Sequence, residues 1–256
     1  MSYLHFNDNI LNPNTMNVAD SIAIVTGSSS GIGRSFTEQL LQKGATVYGL
    51  SRSLERMQAH KKQLGKVGAR YIPVHMDISD HDAVEHWVKH TFTDSKRYPD
   101  ILINNAGLGY FDNIEDLALE KFEQMMQVNV SGVFYLTRHI TPLMKANPNT
   151  CHIINIASVA ALMGNPKISV YNATKYALRG FSDALFKELR YDGIKVSCFF
   201  PGSIATRFFD EIDEIEVHNG MMHPDEVAET LLFVLERSDN FLISELTMRP
   251  LQPKKP

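Results

Sequence analysis

Short apolar runs rich in β-branched residues alternate along the chain with longer stretches in which apolar residues recur every three or four positions. The runs at 22–25, 46–50, 70–75, 100–103, 152–157, 195–200 and 240–243 predict strands. Between them, Phe36, Leu40 and Leu41 form a helical stripe after Gly33, and further helices are predicted over 54–64, after Asp80, and over 122–145 and 225–236. Asp80 is placed to cap its helix. Ala177, Phe181, Leu185 and Leu189 share one face of another helix, over 173–190. Strands and helices alternating without a break in composition predict one α/β domain, a doubly wound parallel sheet of about seven strands with helices on both faces. The domain is expected over 20–250, after an asparagine-rich, loosely ordered extension at 1–19 and before a tail at 251–256. The segment 204–219 departs from the alternation by combining Phe208-Phe209 with acidic residues, and reads as a flap over a site.

Composition narrows the partners. The 256 residues are 44% hydrophobic and 21% charged, with a formal charge of −4 and no long basic run, so small molecules are expected rather than nucleic acid or membrane. The two cysteines, Cys151 and Cys198, flank or lie in strand-like runs and read as reduced packing residues. The first residues lack the basic stretch and apolar core of a secretion signal, which points to the cytoplasm. His86 and His90 have a metal-like spacing but no third ligand in the pattern, so no metal is assigned.

The polar exceptions to the apolar pattern fall where strands end. Strand 22–25 runs into Thr26-Gly27-Ser28-Ser29-Ser30-Gly31-Ile32-Gly33 and then a helix. Such a turn lets a diphosphate approach the backbone and meet the free N–H groups of the helix start. The position about 20 residues past the glycines holds Ser51, followed by Arg52. An acid there would bond ribose hydroxyls, whereas Arg52 pairs with a 2′-phosphate, so NADP(H) is favoured over NAD(H). Asp77-Ile78 closes the third strand where an adenine could lie, and Asn104-Asn105-Ala106-Gly107 closes the fourth with two amides able to bridge strands or bond a ligand. Asn129 is a polar interruption inside a helix, which either faces water or bonds something buried.

Past the fifth strand comes Ser158, and thirteen positions later Tyr171, with Lys175 one helical turn further. A phenol and an ammonium at i and i+4 are neighbours. A unit charge ~4 Å away at an effective dielectric of ~20 contributes about 4 kcal/mol, enough to bring the phenol towards neutrality as an acid or base.

Together, Thr26-Gly27-x-x-x-Gly31-x-Gly33, Asn104-Asn105-Ala106-Gly107, Asn129, Ser158, Tyr171-x-x-x-Lys175 and Pro201-Gly202 resemble the short-chain dehydrogenase/reductase family in its compact, single-domain (Rossmann) branch. The resemblance covers nearly everything from residue 22 to about 250. It implies that Tyr171 gives or takes the proton of a carbonyl or alcohol, Ser158 holds that oxygen, Lys175 lowers the phenol's pKa and grips the nicotinamide ribose, and Asn129 carries a water linking Lys175 to solvent. It also implies that Gly27 to Gly33, with Ser29, Ser30 and Ile32, cradle the diphosphate. Asp77, Ile78, Asn105, Ala106 and Gly107 would flank the adenosine side of the cofactor, and Gly202, Ile204 and Thr206 would meet the carboxamide. Ser30 stands where many NADP(H)-using relatives carry a basic residue. By the same likeness the chain forms a homodimer or homotetramer. The expected function is hydride transfer between NADP(H) and a carbonyl or secondary alcohol. The alternative is a non-catalytic nicotinamide-cofactor-binding redox sensor. Leu108, Tyr110, Val159, Leu162, Ile168, Phe208 and Phe209 are expected to line an apolar substrate pocket.

Overall fold

The structure, a computed structural model, describes residues 16–210 and 217–252, with Phe209 described in its backbone alone. Among the described residues there are seven strands: β1 (Ile22–Thr26), β2 (Thr46–Ser51), β3 (Tyr71–His75), β4 (Ile101–Asn104), β5 (Cys151–Ile156), β6 (Ile194–Pro201) and β7 (Glu245–Met248). They form one all-parallel sheet in the order β3-β2-β1-β4-β5-β6-β7. The helices are α1 (Gly31–Gln42), α2 (Leu54–Gln63), α3 (His81–Val88), α4 (Leu119–Met126), α5 (Val133–Lys145), α6 (Ser169–Leu189) and α7 (Pro224–Leu235).

The apolar strand runs exist because both faces of the sheet are covered. Side chains alternate across a strand, so Ala23 and Val25 of β1 enter the core that holds α1 and α7, while Ile24 enters the core that holds α3, α5 and α6. On β4, Ile101 and Ile103 take the first side and Leu102 the second. The helices supply the matching stripes. Phe36, Leu40 and Leu41 of α1 pack with Val227, Leu231 and Leu235 of α7, and Leu136, Ile140 and Met144 of α5 pack with Val84 and Val88 of α3.

The helix predicted over 122–145 begins at Leu119 and is split into α4 and α5 by a π turn, Gln127–Gly132, that carries Asn129. The last strand lies at Glu245–Met248, not 240–243. Residues 238–241 form a turn closed by Phe241 N donating to Ser238 O, and pairing with β6 begins only where Cys198 N donates to Ser244 O. As an edge strand it alternates Glu245 and Thr247 outward with Leu246 and Met248 against the core, a pattern weaker than the apolar run sought. At the amino end, Met16 and Val18 are buried in the α1/α7 core, so residues 16–19 pack with the domain rather than extending from it. In the segment read as a flap, Arg207–Phe209 forms a 3-10 turn and Ala205 N donates to Met222 O, while residues 211–216 lie outside the described residues.

Candidate active site

The strand order reverses between β1 and β4, so the connections leaving their carboxyl ends part to opposite faces and open a crevice. Thr26 and Asn105 stitch its two banks together. Thr26 Oγ1 accepts from the N–H groups of Asn105 and Ala106, each at 2.9 Å, and Asn105 Nδ2 donates to Thr26 O at 2.9 Å. Of the two amides at this strand tip, Asn104 is the buried one, donating to Asn155 Oδ1 at 2.8 Å and Thr137 Oγ1 at 3.1 Å. Asn104 therefore bridges to β5, and Asn105 faces the crevice.

Gly27 and Gly31 adopt φ of 68° and 53°, left-handed values that glycine takes without cost. At the start of α1, Ser30 is extended and its side chain caps nothing, and the first turn holds no acidic residue. The free N–H groups of this helix therefore meet whatever lies in the crevice with partial positive charge. Gly33 has another purpose. A Cβ there would sit 2.4 Å from both Gly27 O and Asn105 Nδ2, so Gly33 lets α1 press on the turn and does not touch the crevice.

The crevice widens into a cleft of about 600 Å³. Its walls include Gly27, Ser29, Ser30, Gly31 and Ile32 of the glycine turn, Ser51 and Arg52 after β2, Asp77 and Ile78 after β3, and Asn105, Ala106 and Gly107 after β4. Ser158, Tyr171, Gly202, Ile204 and Thr206 complete the far end. Ser51 Oγ bridges to Ser29 Oγ at 2.9 Å, joining the end of β2 to the glycine turn. Burial pushes the Asp77 carboxyl up, but bonds from the Ser79 hydroxyl and N–H, aided by Arg52 and His75, outweigh it and hold the pKa below its usual value. Ser53 and Arg56 line the same end and are absent from the sequence expectations. Arg34, bonded to Gln63 Oε1 at 2.9 Å, borders an adjoining recess together with Arg56. The available signal was Arg56 four positions after Arg52, which becomes informative only once the start of α2 is known.

Tyr171, in the first turn of α6, is 8% exposed and caged by rings, with Phe208 5.7 Å and Phe111 6.0 Å from its centroid. A Cβ on Gly109 would come within 3.0 Å of the Tyr171 ring, so that glycine makes room for it. Burial raises the phenol's pKa to about 12, and the Ser158 hydroxyl beside it opposes the shift. This reverses the expectation that Lys175 brings the phenol towards neutrality. Lys175 is buried, its Nζ donates to Ile156 O at 3.1 Å and stands 5.6 Å from the Tyr171 ring centroid, and burial lowers its own pKa to about 8. Loss of water around the phenolate is the larger influence on Tyr171, and the Ser158 hydroxyl the one that opposes it. Gly107 covers Lys175, since a Cβ there would fall 3.3 Å from Nζ and 3.2 Å from Asn129 Oδ1.

Asn129 does not reach the cleft. Its amide bonds both peptide groups of Leu108, accepting from the N–H at 2.9 Å and donating to the carbonyl at 2.8 Å, and donates to Thr174 Oγ1 at 3.1 Å. It thus clips the loop after β4 to α6, and the π turn that carries it is a frequent device at functional sites. Of the expected pocket residues, Leu108, Tyr110, Val159, Ile168 and Phe208 line the cleft, whereas Leu162 packs against the cluster of Val133, Ala157 and Leu178. The Phe209 side chain lies outside the described residues.

A family profile described as short chain dehydrogenase matches residues 21–216. The chain belongs to the short-chain dehydrogenase/reductase family. It is 31% identical over 243 residues to an uncharacterized oxidoreductase of Staphylococcus saprophyticus, covering 91% of this chain and 97% of that protein. An alcohol dehydrogenase from Thermococcus sibiricus, solved with 5-hydroxy-NADP, superposes with a TM-score of 0.82 at 26% identity over 92% of this chain and 99% of the other. A 3-ketoacyl-(acyl-carrier-protein) reductase from Brucella melitensis, solved with NADH, gives 0.79 at 28% identity over 91% and 98%. Family membership accounts for the doubly wound sheet and the glycine turn. Among the described residues no helix is long and apolar enough to cross a membrane, and both cysteines are free and buried.

Proposed function

We propose that this protein is an oxidoreductase that moves a hydride between NADP(H) and a carbonyl or secondary alcohol, with Tyr171 as general acid/base. The observation that carries this reading is the placement of Ser158 and Tyr171 on one wall of a glycine-lined cleft, with Lys175 buried directly behind the phenol. Two features suit the cleft to a dinucleotide: the uncapped start of α1, and the left-handed glycines Gly27 and Gly31 that shape the turn before it. The nicotinamide, when bound, supplies or accepts the hydride. Everything else falls to the chain. A phenol pushed up to about 12 is protonated at neutral pH, which suits it to give its proton to a carbonyl oxygen held by the Ser158 hydroxyl. Lys175, as a cation beneath the ring, then favours the phenolate left behind.

Arg52 and Arg56 support NADP(H), since both line the end of the cleft where Ser51 replaces an acid. The rings of Tyr110, Phe111 and Phe208, with Leu108 and Ile168, surround the reacting end and support an apolar carbonyl substrate. Phe134 on α5 and Tyr176 on α6 are each 45% exposed and offer apolar contact area to a homodimer or homotetramer, which the mass in solution by sedimentation decides. The activity is tested by offering ketosteroids, β-ketoacyl thioesters and quinones with NADPH or NADH. NADPH consumption with a carbonyl is expected. Tight cofactor binding with no turnover across the panel would instead support the sensor.

A further inference from the structure

Away from the cleft, the metal-like pair His86 and His90 forms a tilted ring pair, with centroids 4.0 Å apart, planes at 33° and His90 Nδ1 on the carbonyl of His86 at 2.8 Å. A different set converges nearby. His81 and Glu85, four positions apart on α3, meet His139 of α5, and one ligand atom from each lies within 4.8 Å of the others. His81 Nε2 and His139 Nε2 are 3.3 Å apart. Two imidazole nitrogens bound to one zinc ion at 2.0–2.1 Å in a tetrahedron stand about 3.3 Å from each other, so the pair already has the edge length such an ion requires.

The second nitrogen of His81 supports the same reading. Its Nδ1 lies 3.0 Å from Asp82 Oδ1, and donation of that N–H to the carboxylate leaves the Nε2 lone pair facing His139. Tyr135 packs edge-on against the His81 ring, with centroids 5.1 Å apart and planes at 76°, and fixes its orientation. Glu85, one helical turn from His81 and exposed, brings a carboxylate oxygen within 4.8 Å of both imidazoles, which places a third ligand within reach of one ion. Two imidazoles and one carboxylate suit a borderline cation of the zinc kind better than magnesium or calcium.

We propose that His81, Glu85 and His139 bind one divalent cation of the zinc class, clamping α3 to α5 and leaving a fourth position to water. None of the three lines the cleft, so the cation stabilises the helix pair and turnover proceeds without it.

The test uses the full chain, stripped with a chelator and titrated calorimetrically with zinc chloride, beside thermal melts with and without zinc. Saturable one-to-one binding at micromolar zinc and a raised melting temperature are expected for the wild type and for His86→Asn/His90→Asn. His139→Ala and His81→Ala are each expected to weaken binding by about tenfold or more and to lose the thermal shift, and Glu85→Gln to weaken it as well. Cobalt(II) gives an independent reading through the intense visible bands of a four-coordinate ion, present in the wild type and lost in His139→Ala. Retained carbonyl-reducing or cofactor-binding behaviour shows that each variant is folded. No zinc uptake by the wild type, or binding that survives His139→Ala but fails in the His86/His90 variant, would overturn the proposal.

Discussion

Lys175 sits in a conflict between stability and chemistry. Burial depresses its pKa from 10.5 to about 8, so between those values the unfolded chain binds a proton that the folded chain has released, and stability rises with pH across that window. Below pH 8 the fold carries the cost of a buried ammonium that is only partly offset by its bond to Ile156 O. Lys175→Met is therefore expected to gain on the order of 1–3 kcal/mol at pH 7 in urea unfolding, with the gain shrinking towards pH 10.5, while turnover collapses. Arg52 gives a second residue-level outcome. Arg52→Ala is expected to raise the NADPH KM about tenfold and to leave the NADH KM nearly unchanged, the loss of one charge-assisted bond. The identities Ser158, Tyr171, Lys175 and Arg52 were legible in the sequence as types at spacings. The direction of the Tyr171 shift was not, because spacing shows a neighbouring cation but not the apolar cage of Phe111, Phe208 and Leu108 that removes water from the phenol.

At the scale of elements, glycine positions that look alike in sequence separate by what surrounds them. Gly27 and Gly31 serve backbone conformation, whereas Gly33 serves contact between α1 and the turn beneath it. Gly33→Ala forces its Cβ against backbone at 2.4 Å and is expected to lower stability by about 1–3 kcal/mol, read as a reduced melting temperature with or without cofactor. Strands buried on both faces were readable because their apolar runs are continuous. The break in the helix around Asn129 was signalled only by a polar residue in its interior, since the clip that Asn129 makes to Leu108 is a long-range contact. β7 escaped because an edge strand shows only half the pattern, and the packing of Met16 and Val18 because two isolated apolar residues carry no periodicity.

For the whole molecule, alternation of element types gave the layers and the parallel sheet, but the strand order that opens the crevice is a property of long-range pairing with no local mark in the chain. Global stability carries a further signature in His152, a buried residue of β5 whose Nε2 lies 2.8 Å from Ser197 Oγ on β6. Burial, with the charge of Lys195, lowers its pKa from 6.5 to about 3, so on acidification the unfolded chain takes up a proton first and stability falls from about pH 6.5 down to about 3. His152→Gln is expected to lose less stability than wild type between pH 7 and pH 4.5, by on the order of 2 kcal/mol in urea unfolding.

The proposed reaction requires the phenol of Tyr171 to face the cleft. Tyr171→Phe keeps the ring and its cage while deleting the hydroxyl proposed to deliver the proton. With the cofactor saturating and a reducible carbonyl found for the wild type, NADPH consumption is expected to fall by about 10²–10⁴-fold while NADPH affinity is retained. A variant that reduces the carbonyl at the wild-type rate would contradict the assignment of Tyr171 and the mechanism built on it.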